Sequence, residues 1–202
     1  DYKNWSDHTS LGRRADVFNL IIVCPDGNRN SWYLDSPMDP DSQYETFFIN
    51  ELIPWIKKNY KTNQFGITGL SMGGHGALIC ALKRPDVFSS CSAFAPISAP
   101  SQCPWGKKAF TGYLGDDKTE WVKWDACELV GSSHFEGTVL VDQGEADDFL
   151  ARELRCELLQ AAFVAAGKPL ILRLQSGYDH SYYFIATFMG DHMAHHRAEL
   201  AR

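Results

Sequence analysis

One short segment of the chain places a serine where it could act as a nucleophile. Gly69-Leu70-Ser71-Met72-Gly73 is a G-x-S-x-G sequence that lies between a strand-like and a helix-like stretch. Such a serine sits on a tight, strained turn, and side chains two residues to either side would clash there. The backbone N–H of Met72, at the start of the next helix, would face a developing oxyanion. The alternative is a glycine-rich turn with no catalytic role. An acid and a histidine that follow the serine in the expected chain order would argue against this alternative.

A histidine in the right place for a general base follows the last strand-like segment. Ser176-Gly177-Tyr178-Asp179-His180-Ser181 forms a loop after that strand, and His180 could accept the serine proton and return it to a leaving group. Three other histidines fit less well. His75 lies on the helix that follows the serine, and His8 and His134 lie in loops with no strand end beside them.

The loop after the preceding strand supplies several carboxylates for the third role. It runs Asp142-Gln143-Gly144-Glu145-Ala146-Asp147-Asp148. The acid must reach the imidazole Nδ1 to hold its tautomer, which requires a position beyond the end of the strand. The spacing therefore favours Asp147 or Asp148 over Asp142 and leaves the choice between the first two open.

His192, His195 and His196 form an H-x-x-H-H cluster on the last predicted helix. The cluster could in principle hold a metal, but no Cys or carboxylate set completes a site with the expected spacing. We therefore expect a solvated, polar helix face and no metal. We also expect no cofactor, because a serine, a histidine and an acid need none.

Strand-like and helix-like segments alternate along the chain, which predicts an α/β fold with a mostly parallel sheet and helices on both faces. The predicted strands are Asn19–Cys24, Phe65–Thr68, Ser89–Pro96, Thr138–Asp142 and Pro169–Leu174. The predicted helices are Tyr44–Tyr60, Met72–Lys83, Phe149–Ala166 and Ser181–Arg202. We expect one domain over residues 1–202, with the Gly-, Pro- and Trp-containing stretch 97–135 as a cap over one end of the sheet.

Composition limits the classes of partner. The chain has 202 residues and a net charge of −6, without a run of Lys or Arg, which argues against a nucleic-acid or membrane partner. No apolar stretch is long enough to span a bilayer. The six cysteines form no CxxC pair, so a reduced, cytoplasmic location is expected. A small ester or thioester substrate remains compatible with all of these features.

From about residue 66 to residue 202, the sequence resembles the S-formylglutathione hydrolase (esterase D) family. The resemblance rests on these runs: Gly69-Leu70-Ser71-Met72-Gly73-Gly74-His75-Gly76, Cys103-Pro104-Trp105-Gly106-Lys107-Lys108, Asp142-Gln143-Gly144 and Gly177-Tyr178-Asp179-His180-Ser181-Tyr182-Tyr183. It implies an α/β-hydrolase fold and Asp147 as the acid, two residues before Phe149. It also implies hydrolysis of S-formylglutathione to glutathione and formate in formaldehyde detoxification, a cytosolic location and, since relatives often dimerise, a homodimer as one assembly.

The first sixty or so residues resemble a related group of bacterial esterases of the acetyl, tributyrin and feruloyl types. The runs that carry this resemblance are Asn30-Ser31-Trp32-Tyr33-Leu34-Asp35-Ser36-Pro37 and Ile53-Pro54-Trp55-Ile56. A general carboxylesterase is therefore the alternative function. Both groups imply further strands and a short His-Gly or Ser-Gly segment upstream of Asp1, where the second oxyanion donor is expected.

The acyl pocket has three aromatic candidates: Trp105, Tyr182 and Tyr183. Packing under the cap is an equally good interpretation for each of them. A third candidate function is a non-catalytic binding module on a hydrolase fold. An incomplete set of catalytic residues would favour it, but Ser71, Asp147 and His180 are all present.

Overall fold

A four-stranded parallel sheet forms the centre of the computed structural model, which describes residues 2–28 and 30–202. The strands are β1 Phe65–Leu70, β2 Phe88–Phe94, β3 Val139–Gly144 and β4 Leu170–Gln175. They lie side by side in chain order, and each neighbouring pair is parallel. The carboxyl ends of all four strands therefore meet at one edge of the sheet, and four of the five predicted strands are confirmed.

Helices follow and precede these strands along the chain. They are α1 Asn4–His8, α2 Leu11–Phe18, α3 Tyr44–Phe47, α4 Ile53–Tyr60, α5 Met72–Lys83, α6 Pro104–Leu114, α7 Lys118–Trp121, α8 Ala126–Leu129, α9 Cys156–Ala166 and α10 Tyr182–Leu200. No helix in the described ranges is both long enough and apolar enough to pass through a bilayer.

Side chains of β2 point alternately to the two faces of the sheet, as strand geometry requires. Cys91 Sγ contacts the carbonyl oxygen of Ala77 in α5. Its neighbours Ser90 and Ser92 instead hydrogen bond to His196 in α10. Helices α5 and α10 therefore cover opposite faces, which confirms the predicted arrangement.

The predicted helices are present with local interruptions. The segment from Tyr44 to Tyr60 is helical throughout, but α3 and α4 are joined by a π-helical turn, Phe48–Leu52. The segment 149–166 is broken: a π-helical turn, Leu150–Leu154, ends at Arg155, which has a left-handed φ of 52°, and α9 begins after it. Helix Met72–Lys83 has the predicted bounds.

The prediction of a buried strand at Asn19–Cys24 is wrong. Helix α2 ends at Asn19 in a left-handed conformation, and the residues after it have no regular secondary structure and pair with no described strand. Ile21 is 57 % exposed and Val23 is 37 % exposed. An apolar run becomes a strand only where a neighbouring backbone completes its hydrogen bonds, and β1 pairs only with β2 in the described sheet.

Residues 97–135 contain α6, α7 and α8 and a short 3₁₀ turn, Val122–Trp124. Helix α8 packs between α5 and α9, whereas α6 contacts the π-helical turn that follows β3. The amino-terminal end of α6 therefore lies near the carboxyl edge of the sheet. Its role as a cap stays a prediction.

Candidate active site

Ser71 occupies a strained turn between the end of β1 and the start of α5. Its φ and ψ are 57° and −115°, a combination that is costly for a residue with a side chain and persists only where the surroundings enforce it. The Ser71 N–H donates to the Phe94 carbonyl oxygen at 2.9 Å, and the Ser71 carbonyl oxygen accepts from the N–H groups of His75 and Ile97. The end of β2, the segment that follows it and the first turn of α5 thereby hold the turn.

The glycines around Ser71 are required to different degrees. A Cβ at Gly69 would lie 2.1 Å from the carbonyl oxygen of Gly73, which no real structure tolerates. A Cβ at Gly73 would meet only the Tyr33 hydroxyl, at an ordinary 3.4 Å. The expected clash on both sides of the serine is therefore confirmed at Gly69 and wrong at Gly73. The second tight position is Gly74, whose added Cβ would lie 2.9 Å from Pro96 Cβ.

Met72 is the first residue of α5. The first N–H groups of a helix have no partner within the helix, and the helix dipole adds a partial positive charge at the same end. The Met72 N–H is therefore oriented and polarised as a donor for negative charge that develops next to Ser71.

Asp147 and His180 are brought together from two different loops. His180 Nδ1 lies 2.6 Å from Asp147 Oδ2, and Asp147 is 5 % exposed. Burial raises the pKa of Asp147, but hydrogen bonds from His180, the Phe149 N–H and Gln143 outweigh it and leave the pKa below its ordinary value. An ionised Asp147 accepts the Nδ1–H of His180, which leaves Nε2 free to accept a proton.

Backbone contacts join the two loops. The N–H groups of Glu145 and Ala146 donate to the carbonyl oxygens of Gln175 and Tyr178, at 3.0 and 2.9 Å. A Cβ at Gly144 would lie 2.3 Å from the Tyr178 carbonyl oxygen. Only glycine allows this approach, and the Asp147 loop and the His180 loop are therefore packed directly against each other.

Ser71 lies at the same edge of the sheet but is not hydrogen bonded to His180 among the described contacts. Catalytic hydrogen bonds are often long before substrate binds. The other two acidic candidates take different positions: Asp148 is exposed, and Asp142 is fully buried on the α10 face of the sheet. There Arg173 and His192 bind Asp142.

A row of aromatic rings leads from α6 to His180. The ring centroids of Trp105 and Phe149 are 4.8 Å apart, and those of Phe149 and His180 are 5.3 Å apart at 84°. The backbone N–H of Trp105 donates to Glu153 Oε2 at 2.9 Å, and Glu153 is 2 % exposed. Because Glu153 holds the first turn of α6, Trp105 is fixed against Phe149.

The two tyrosine candidates for the acyl pocket lie in different surroundings. Tyr182 packs under α1, with ring centroids 6.2 Å from Trp5 and 5.2 Å from His8. Tyr183 is 75 % exposed and stacks on Tyr178. Neither tyrosine has a described ring contact with His180, so their role in binding substrate stays a prediction.

The histidine cluster on α10 is not the solvated face that the sequence suggested. His192 is 1 % exposed and its Nε2 lies 3.0 Å from Asp142 Oδ2, while His196 is 8 % exposed and its Nε2 lies 2.8 Å from Ser92 Oγ. His195 bonds to a backbone carbonyl of β2. Polar side chains of the sheet, Asp142 and Ser92, cover this face of α10. The spacing of the histidines along the helix gives no sign of these partners. In the described part of the chain, no group of three or more His, Cys, Asp or Glu residues is arranged to hold a metal ion.

Sequence reasoning missed three residues around the Asp147–His180 pair: Gln143, Phe149 and Glu153. Phe149 is the one residue for which a signal existed, because it immediately follows the acidic loop and begins the predicted helix. Gln143 and Glu153 are buried polar residues, and their burial could be learned only from the folded chain.

Comparisons with known proteins place these features in context. The profile of the Esterase family matches residues 4–197. The S-formylglutathione hydrolase of Rattus norvegicus is 41 % identical over 221 residues, covering 96 % of this chain and 77 % of the relative. A solved S-formylglutathione hydrolase from Agrobacterium tumefaciens superposes with a TM-score of 0.86 at 41 % identity, covering 93 % of this chain and 76 % of that one. A solved ferulic acid esterase has a TM-score of 0.73 at 23 % identity, covering 98 % and 80 %, and shares the fold.

Proposed function

This chain belongs to the S-formylglutathione hydrolase family of esterases, and on that premise we propose that it hydrolyses S-formylglutathione to glutathione and formate. The observation that carries the proposal is the hydrogen bond between partly exposed His180 and buried Asp147, which lie at the same sheet edge as the strained Ser71 turn. Nucleophile, acid and base follow the chain order of α/β-hydrolases. The reaction needs no metal or cofactor.

The first half of the proposed reaction forms an acyl-enzyme. Ser71 Oγ attacks the thioester carbonyl carbon while His180 Nε2 takes the hydroxyl proton. The carbonyl oxygen becomes an oxyanion that accepts a hydrogen bond from the Met72 N–H. The intermediate then collapses, the carbon–sulfur bond breaks, and His180 returns the proton to the leaving thiolate. Glutathione leaves, and a formyl ester remains on Ser71.

The second half reverses the roles with water as the nucleophile. His180 removes a proton from the water as its oxygen attacks the formyl carbon, and the oxyanion forms again beside Met72. Collapse breaks the ester bond, and His180 gives its proton to Ser71 Oγ. Formate is released. Asp147 stabilises the imidazolium in both halves and holds its orientation through the 2.6 Å bond to Nδ1.

We further propose the cellular setting that the family suggests. The protein would catalyse the second step of formaldehyde detoxification in the cytoplasm, and it would be able to form a homodimer. The support is family membership together with the six free cysteines, a state typical of reducing compartments. We also propose one domain, with residues 97–135 as a cap that brings Trp105 to the acyl group. Trp105 has more support than Tyr182 or Tyr183, because Phe149 connects its ring to His180.

The test uses a fluorophosphonate probe, which reacts only with an activated serine. Purified protein is treated with the probe, and the label is located by mass spectrometry. We expect labelling at Ser71, its loss in Ser71→Ala, and normal labelling in Ser132→Ala, which changes an exposed serine in a turn. Labelling at another residue, or equal labelling of Ser71→Ala, would refute Ser71 as the nucleophile.

Substrate profiling then tests the acyl donor. We expect kcat/KM on S-formylglutathione to exceed that on p-nitrophenyl acetate, with Ser71→Ala inactive on both. The reverse order would favour the general carboxylesterase alternative and overturn the substrate assignment while leaving the serine mechanism intact.

A further inference from the structure

Gln143 is a fully buried amide next to the proposed catalytic acid. It lies on β3 with no exposed surface. Its Nε2 donates to the Gly144 carbonyl oxygen at 3.1 Å and to Asp147 Oδ2 at 3.3 Å. Asp147 Oδ2 is also the oxygen that contacts His180 Nδ1. A single carboxylate oxygen is therefore bonded from one side by the histidine and from the other by the amide.

The orientation of the amide follows from its neighbours. Both groups near Nε2, the Gly144 carbonyl and the Asp147 carboxylate, are acceptors only. A flipped amide would place Oε1 against these two oxygens, so the observed orientation is the one that the network requires.

This orientation leaves Gln143 Oε1 buried without a hydrogen-bond partner among the described residues. An unpaired buried acceptor destabilises a fold and calls for an explanation. The neighbouring polar side chain on β3 differs in this respect. Asp142 accepts hydrogen bonds from Arg173 and Gln175 and is also bonded to His192. A residue chosen only for stability at position 143 would be apolar, whereas a donor toward Asp147 must be polar.

The Asp147 carboxylate is held at both oxygens. The Phe149 N–H donates to Oδ1 at 2.9 Å, and Gln143 and His180 share Oδ2. Donors at both ends of a carboxylate fix the rotation of its plane. The titratable group that acts on it is His180 from the next loop, whereas Glu145 and Asp148 of its own loop are exposed to solvent.

We propose that Gln143 is a positioning residue, which holds Asp147 Oδ2 in line with His180 Nδ1. The inference rests on the proposed function, because it assigns a role toward the catalytic acid. Gln143 does not touch substrate. It acts by limiting the rotation of the carboxylate, and thereby the orientation of the imidazole that must reach Ser71.

The experiment compares Gln143→Met and Gln143→Glu with wild type in kcat/KM for p-nitrophenyl acetate across pH. Gln143→Met keeps the shape and removes the donor, so we expect kcat to fall about ten-fold with KM little changed, by the same factor at every pH. Gln143→Glu places a carboxyl beside Asp147. When protonated this carboxyl can donate as the amide does, and when ionised it repels Asp147. Its activity relative to wild type should therefore fall as pH rises.

Gln175→Met is the matched control. It removes an amide–carboxylate bond of the same kind from Asp142, on the other face of the sheet. We expect wild-type kcat and a wild-type pH profile. Circular dichroism establishes that each variant is folded, and if Gln143→Met does not fold, the pH trend of Gln143→Glu decides.

Two results would overturn the inference. They are a folded Gln143→Met with wild-type kcat, or a Gln143→Glu whose activity relative to wild type does not change with pH. Failure of the proposed function gives a different result, because Asp147→Asn and Ser71→Ala would then retain activity. If those two variants are inactive and the Gln143 variants are normal, only the positioning role is refuted.

Discussion

Replacement of Gly69 by alanine tests the physical account of the turn at Ser71. The new Cβ would lie 2.1 Å from the Gly73 carbonyl oxygen and 2.3 Å from the carbonyl carbon. Non-bonded heavy atoms pack at about 3.5–4.0 Å. Both groups belong to the backbone, so no side chain can rotate away. The turn must open by about 1 Å or more to accept the methyl group.

The expected effects follow from that displacement. Overpacking costs about 1–3 kcal/mol, and we expect the upper end because only backbone can yield. For a chain of this length, about 3 kcal/mol corresponds to a Tm decrease of about 6–12 °C. A misplacement of about 1 Å in catalytic geometry costs on the order of a hundred-fold in rate. The rate of fluorophosphonate labelling at Ser71 should fall by that factor.

Gly73→Ala is the matched control, because it changes the other glycine of the motif. Its Cβ would meet only the Tyr33 hydroxyl, at 3.4 Å, and alanine within a helix is favoured over glycine by about 0.5–1 kcal/mol. We expect an unchanged or higher Tm and a labelling rate close to wild type. The assays are thermal unfolding followed by circular dichroism and the time course of labelling.

A steric origin of the glycine requirement at position 69 would be refuted if both alanine variants lost activity and stability equally. That result would mean that the motif requires glycine for a reason other than space. It would also be refuted if Gly69→Ala had a wild-type Tm and a wild-type labelling rate, since the turn would then relax without cost.

Three further predictions concern the acid, a buried histidine and the aromatic row. Asp147→Asn should lower kcat by about 10⁴, whereas Asp148→Asn, at an exposed position, should stay near wild type in the same esterase assay. Burial lowers the pKa of His75 to about 4, whereas an unfolded histidine protonates near 6.5. The unfolded state thus binds more protons between these values, and the free energy of unfolding should fall with decreasing pH, by about 1.4 kcal/mol per pH unit for this residue. Trp105→Ala should remove the ring that packs on Phe149 and raise the butyrate-to-acetate rate ratio by roughly ten-fold.

Each of these three predictions has a result that would contradict it. Equal kcat in the two aspartate variants would remove Asp147 from its proposed role. Denaturant titrations of His75→Leu should show a shallower pH dependence than wild type in that window, and an unchanged slope would place the titrating group elsewhere. An unchanged acyl-chain preference in Trp105→Ala would exclude this side chain from the acyl pocket.

The sheet and the order of the proposed catalytic residues could be predicted because both depend on local pattern. Short apolar runs ended by glycine or proline mark β1 to β4. Ser71 lies directly after β1, and His180 lies in the loop that follows β4. The spacing narrowed the acid to Asp147 or Asp148, and the family resemblance selected Asp147. The fold places Asp147 against His180 and leaves Asp148 exposed.

The errors arose where the outcome depends on distant parts of the chain. The run Asn19–Cys24 has strand-like residues, but whether it becomes a strand depends on a partner that no local pattern specifies. The burial of His192 and His196 depends on Asp142 and Ser92 of the sheet, which are far away in sequence. The break at Arg155 interrupts a run that the sequence predicts as one helix, and nothing in the local apolar spacing marks the left-handed residue.

The order of the strands has a consequence for synthesis on the ribosome. The four strands lie across the sheet in the order in which they are translated, so each strand can pair with the one before it as the chain emerges. The loops that carry Ser71, Asp147 and His180 become part of the sheet edge in the same order. Translation proceeds at about 5–20 residues per second, and roughly a hundred residues separate the serine from the histidine, a delay on the order of ten seconds. During that time the nascent chain carries an ordinary alcohol with no base to activate it. We expect hydrolytic activity to begin only after β4 has joined the sheet and His180 has reached Asp147.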